Sequence, residues 1–169
     1  MSEKQLRDML ALASDFCELR FARNGEVEPT WHALTAAGES FIERALPDFD
    51  GPDALATVHA LFDLRDVVRY VFMYEAWTLA RLLPANEMDR ISRSGLANHP
   101  ERVEVVTLQG EDRACGQIVA HRRIIRPAGR KPYLGPLETM EEVMRLPRGA
   151  AIQFHGRMVG LLPVRGTRH

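Results

Sequence analysis

Acid–base chemistry or metal binding needs carboxylates and imidazoles within reach of one another, and this chain offers Glu75, His99, Glu104 and His121, with Trp77 close by. A carboxylate beside an imidazole exchanges protons when burial shifts the two pKa values. The same groups supply oxygen and nitrogen donors to a divalent metal. The plainer reading is a set of charged cross-strand pairs beside a half-buried tryptophan and a loop histidine. His32 and His59 form a weaker pair of the same kind. No Gly-rich phosphate loop, paired-His helix, Cys-x-x-Cys or nucleophile elbow is present. No metal-ligand spacing and no cofactor is therefore read from motifs, and the balance leans away from an enzyme.

A second chemistry lies in His121-Arg122-Arg123-Ile124-Ile125-Arg126, which continues to Arg130-Lys131. Guanidiniums release counterions from phosphates, and Tyr133 adds a stacking surface. Arg122, Arg123, Arg126, Arg130 and Lys131 are thus the candidate nucleic-acid or anion contacts. Strand alternation sends Arg122 and Arg126 to one face and Arg123 to the other. Half of the cluster is then free to pair with Glu75 and Glu104 on neighbouring strands.

These residues depend on the elements that carry them. Ser2 and Gln5 have capping-box spacing, and Leu6, Met9, Leu10, Ala13, Phe16, Cys17 and Phe21 predict an amphipathic helix from Glu3 to Ala22. Trp31 to Ala36 and Ser40 to Ala45 predict a hairpin, with one helix from Thr30 to Leu46 as the alternative. Pro52 opens a second helix reaching Leu64. Val67 to Ala80 is rich in Val, Tyr and Phe and predicts a long strand. Its first face carries Val68, Tyr70, Phe72, Tyr74 and Ala76, the better core candidates. The second, with Val67, Val71, Met73, Trp77 and Leu79, suits the interface of a homodimer. Leu82 to Pro100 reads as a long loop with one helical turn. Arg102 to Gln109 and Gly116 to Arg126 complete an antiparallel meander through a Gly110-Glu111-Asp112 turn. Thr139 and Glu142 predict a short helix ending before Pro147, and Ala151 to Val164 a final strand pair.

The run Val68-Arg69-Tyr70-Val71-Phe72, then Glu75-Ala76-Trp77, His99-Pro100-Glu101-Arg102-Val103-Glu104 and Leu134-Gly135-Pro136-Leu137-Glu138, resembles a loose family of small bacterial and phage proteins. Pro29-Thr30-Trp31-His32 with Gly38 is similar too, so the resemblance spans roughly residues 25–138. The family carries no assigned activity, and the resemblance implies no catalytic residue.

Bulk properties bound the rest. A chain of 169 residues with 46% hydrophobic and 27% charged residues suits one globular domain. Cys17 and Cys115 are far apart, which predicts free thiols in a reducing, cytoplasmic compartment. The polar start predicts no signal peptide, and no apolar run predicts a membrane span. Residues 1–112 hold 20 acidic and 11 basic side chains, whereas 113–169 hold 3 acidic and 11 basic. Such asymmetry fits an anionic partner, or two parts of the chain packing together. The expectation is one α+β domain over 1–169, with a core of 1–138 and an elaboration over 139–169. It has an antiparallel sheet, a meander plus a hairpin, with helices mainly on one face. The leading function is a non-catalytic binding or assembly protein, homo-oligomeric and of phage or mobile-element origin. The alternatives are a nucleic-acid binder through the arginine segment and a small hydrolase or metal-dependent enzyme around Glu75, His99 and His121.

Overall fold

The computed structural model describes residues 2–79, 81, 83–140 and 160–162. The expected α+β class holds. Helix α1 (Ser2–Asn24) buries Leu6, Met9, Leu10, Ala13, Ser14, Cys17 and Phe21 at three- and four-residue spacing. It stops where Gly25 takes φ +78 and its N–H donates to the Phe21 carbonyl at 2.8 Å. The capping box does not form as expected. Ser2 Oγ donates to Asp112, and Gln5 Oε1 accepts from Arg69 Nη2 at 2.9 Å, so both side chains tie the helix start to the sheet.

Strands β1 (Thr30–Thr35) and β2 (Ser40–Arg44) form the hairpin, turning at Gly38 with φ +83. Helix α2 (Pro52–Leu64) begins with its proline in the first turn, where the missing N–H costs nothing. Strand β3 (Val67–Thr78) is the expected long strand. Helix α3 (Ala85–Ser94) then occupies ten residues of the segment expected to be mostly loop. Strands β4 (Val103–Asp112) and β5 (Gly116–Ile125) complete the meander, followed by the two-residue strands β6 (Tyr133–Leu134) and β7 (Glu138–Thr139). The β4–β5 turn is Arg113-Ala114-Cys115, not Gly110-Glu111-Asp112. Asp112 accepts the Ala114 and Cys115 N–H groups at 2.8 and 3.1 Å, and Gly116 supplies φ +86. The predicted helix from Thr139 toward Pro147 and the strand pair over 151–164 fall outside the described residues, apart from 139, 140 and 160–162.

Among the described residues the sheet order is β2-β1-β3-β4-β5-β6, with β7 also pairing β5, and every pairing is antiparallel. Both faces of its centre are buried. α1 covers Val71, Met73, Val106, Leu108 and Ile124. On the other face Val58 and Phe62 of α2 pack on Trp31, Ala33, Tyr70 and Phe72. There the Trp31 and Phe72 rings lie 4.1 Å apart, and Phe62 meets Trp31 edge-on at 5.5 Å. Leu161 and Leu162, from the expected elaboration, join this second cluster.

That double coverage corrects the expected dimer face. Val71 and Met73 are 0% and 1% exposed beneath α1, and Leu79 is also buried. A residue already closed inside its own subunit cannot be offered to another. Val67 is closed in as well, so Trp77 alone of the five remains at the surface, with the Arg102 guanidinium 4.6 Å above its ring. Among the described residues no helix is long and apolar enough to cross a membrane.

Candidate functional site

The four sequence candidates do not form one site. Glu75 and Glu104 share the α1 face of the sheet, because Glu75 stands opposite Val106 and Glu104 opposite Trp77. Glu75 Oε1 accepts the Val27 N–H at 2.8 Å, which anchors the loop after α1. Burial raises the Glu75 pKa; the Val27 hydrogen bond opposes that shift, and the Glu104 charge adds to it. Glu104 takes two hydrogen bonds from Arg126, at 2.8 Å from Nε and 2.7 Å from Nη2. Those bonds hold its carboxyl below the ordinary range despite partial burial.

His121 lies on the opposite face, opposite Thr107 and Glu138. It is 2% exposed. Its Nδ1 is 3.2 Å from Met140 Sδ, and among the described residues its Nε2 has no hydrogen-bond partner, with Glu138 Oε2 at 3.9 Å. Burial lowers its pKa, against the pull of Glu138, so the ring is neutral near pH 7. The sheet itself therefore separates His121 from Glu75 and Glu104. His32 and His59 are also apart. His32 bonds Ser40 Oγ at 2.8 Å on the α1 side of the hairpin, while His59 is exposed on α2.

The arginine segment divides in the same way. Arg122 is buried under α1, where it donates to the Gly135 carbonyl at 2.6 Å and to Glu18 Oε2 at 2.6 Å. Arg126 is held by Glu104. Arg123, Arg130 and Lys131 are exposed. Of the five proposed phosphate contacts, two are already paired with carboxylates of the acidic part of the chain.

His99 has different partners from those expected. Helix α3 begins after Pro84, whose carbonyl accepts the Glu87 and Met88 N–H groups at 3.0 Å each. Glu87 thus sits in the first helical turn, where the helix dipole favours a carboxylate. The chain after α3 turns back through Leu96–His99 and His99–Arg102 hydrogen bonds. That return places His99 Nε2 3.3 Å from Glu87 Oε1 and directs the Glu101 N–H to His99 Nδ1 at 3.2 Å. Donor atoms of Glu87, His99 and Glu101 all lie within 4.8 Å of one another. Arg81, just past β3, lies across both carboxylates. Its nearest contacts are 2.7 Å to Glu87 Oε1 and 2.6 Å to Glu101 Oε2. With Arg81 as its largest influence, Glu87 is pulled down to about 2, so it is ionised across the physiological range.

Neither Glu87 nor Glu101 stands out by a motif. The legible signal is His99-Pro100-Glu101, in which proline fixes the bend between a ring and a carboxylate two residues apart. Glu87 enters only through the helix that the sequence reading took for loop. One imidazole nitrogen and two carboxylates make a donor set used for zinc and other first-row divalent metals. Comparison with protein-family models, with curated proteins and with solved structures finds no match.

Proposed function

We propose that the chain binds one divalent transition-metal ion through Glu87, His99 and Glu101, with Arg81 as the resident cation that the metal displaces. The observation carrying this reading is the convergence of three donor atoms within 4.8 Å. Three protein ligands leave a coordination position open. The activity class that suits such a site is Lewis-acid hydrolysis by a metal-activated water. Of the four residues first grouped for metal chemistry, His99 belongs to this site, while Glu75, Glu104 and His121 do not.

Entry of the metal has two costs that this geometry defines. The Arg81 guanidinium must leave both carboxylates. The imidazole proton must also move from Nε2 to Nδ1, which gives up the 3.2 Å contact from the Glu101 N–H. Affinity is consequently set by competition between two cations rather than by a vacant, preformed cage. Zinc is expected to bind more tightly than manganese, following the general affinity order. Thermal unfolding with and without Zn²⁺ tests the proposal, because a ligand that binds only the folded state raises the midpoint. A midpoint raised in the native chain and unchanged in Glu87→Gln supports it. An equal response in both, or none in either, rejects it.

A further inference from the structure

Among the described residues strand β2 ends the sheet, and all its residues but the half-buried Phe41 are exposed. We infer that β2 is the seam of a twofold dimer in which the sheets of two copies join edge to edge. The inference is independent of the metal site and replaces the apolar face of β3 as the contact between copies.

The backbone decides which groups are available. The Thr35 N–H donates to the Glu39 carbonyl, and the Ala45 N–H to the Pro29 carbonyl. Bonded pairs alternate along an antiparallel ladder, so Trp31–Glu43 and Ala33–Phe41 are the inward bonded pairs. The N–H and C=O groups of Ser40, Ile42 and Arg44 then point outward. The edge has no proline, no lysine and no bulge within β2, three of the devices that blunt such a strand; its charges are Glu43 and Arg44, and Arg44 is already paired with Glu28. Ile42 stands 51% exposed at its middle.

A twofold axis normal to the sheet fixes the register to a few choices. Centring on Ile42 sets Ile42 opposite its own copy, and Ser40 opposite the second copy's Arg44. All three outward-facing residues then meet outward-facing residues, giving about six backbone hydrogen bonds. Sliding by two residues either way sets Glu43 against the second copy's Glu39 or against its own copy, and like charges directly opposite are unfavourable. In the Ile42 register Glu43 instead faces the second copy's Phe41. The Arg65 guanidinium lies over the Phe41 ring, 5.5 Å from its centre. Glu43 has no ion pair among the described residues, nor does Arg65. Each copy's Glu43 therefore reaches the other's Arg65, which supplies the charge complementarity of the seam. A five-residue strand buries less than a standard stable interface, so association in the micromolar range is expected.

Sedimentation equilibrium of the full chain across a micromolar concentration series tests this, with circular dichroism to verify folding. The native chain is expected to pass from monomer to dimer. Ile42→Pro removes an outward N–H only and should abolish the dimer. Because proline can disturb the hairpin, Glu43→Arg provides the second test. It should weaken the dimer at least tenfold by facing Arg65, and Glu43→Arg with Arg65→Glu should restore it. A monomer at every concentration overturns the inference. So does a dimer that neither Ile42→Pro nor Glu43→Arg weakens, because the copies then meet elsewhere.

Discussion

Arg122 and Arg123 are adjacent in sequence and opposite in environment, and the pleat is the reason. Arg122 turns under α1 and satisfies carbonyls of residues 134 and 135 together with Glu18. Truncating it leaves those buried carbonyls without a donor. Arg122→Ala is expected to cost about 3 kcal/mol in chemical denaturation, whereas exposed Arg123→Ala should stay within about 0.5 kcal/mol. Asp112 is the second residue whose burial defines its work. Burial alone would raise its pKa. Hydrogen bonds from Ser2, the Ala114 N–H and Arg69 Nε, the last at 2.6 Å, outweigh that and leave it below the ordinary value. A depressed carboxyl contributes stability that is full above the unfolded pKa of about 4 and is lost as pH falls through the folded value. The native chain should lose this increment below about pH 4, measured by urea midpoints against pH. Asp112→Asn should lack it already at pH 7 and show a flatter acid limb. At this scale alternation was readable, so the divergence of Arg122 and Arg123 was expected. Their partners were not, because Glu18 lies more than a hundred positions away and no spacing rule links it to Arg122.

Elements were legible where composition and period agree. The Val- and aromatic-rich β3, the hairpin around Gly38 and the stripe of α1 all follow that rule. Helix α3 did not. Pro84, Ser92, Ser94 and Gly95 read as loop, yet the proline precedes the helix and the glycine follows it, positions where neither breaks anything. Met88 and Ile91, three apart, were the overlooked periodic signal. Gly110 misled in the other direction. It is a strand residue, kept small because a Cβ there would come within 3.0 Å of Leu6 Cδ1 and 3.4 Å of Leu10 Cδ2. The missing side chain lets α1 settle on β4. Gly110→Val should therefore push α1 outward and cost about 1–3 kcal/mol, with faster amide exchange in α1 than in α2. Exchange that rises equally in both helices would show that α1 docking is not the weak point.

For the molecule as a whole, the charge asymmetry is met in part inside the chain, by three of the six described basic residues beyond position 112. Arg113 pairs with Asp66, Arg122 with Glu18 and Arg126 with Glu104, each joining the basic third to the acidic remainder. This is the intramolecular option that the sequence allowed, and it removes two contacts from the proposed nucleic-acid surface. Both cysteines are free, as expected. Among the described residues the centre of the sheet is covered by α1 and α2, and the two proposed sites lie at its margins: the β2 edge, and the corner where Arg81, α3 and the His99 turn meet. That corner could not be foreseen, because it requires a helix, a return turn and the end of β3 to come together. Calorimetric titration of Zn²⁺ into the native chain and into Arg81→Ala tests whether this corner binds metal in competition with the guanidinium. Removing the competing guanidinium should tighten binding about tenfold or more, equivalent to at least about 1.4 kcal/mol, at one site per chain. Identical or weaker binding in Arg81→Ala would contradict the account, because the four side chains would then be an ion-pair clamp holding α3 in place and nothing more.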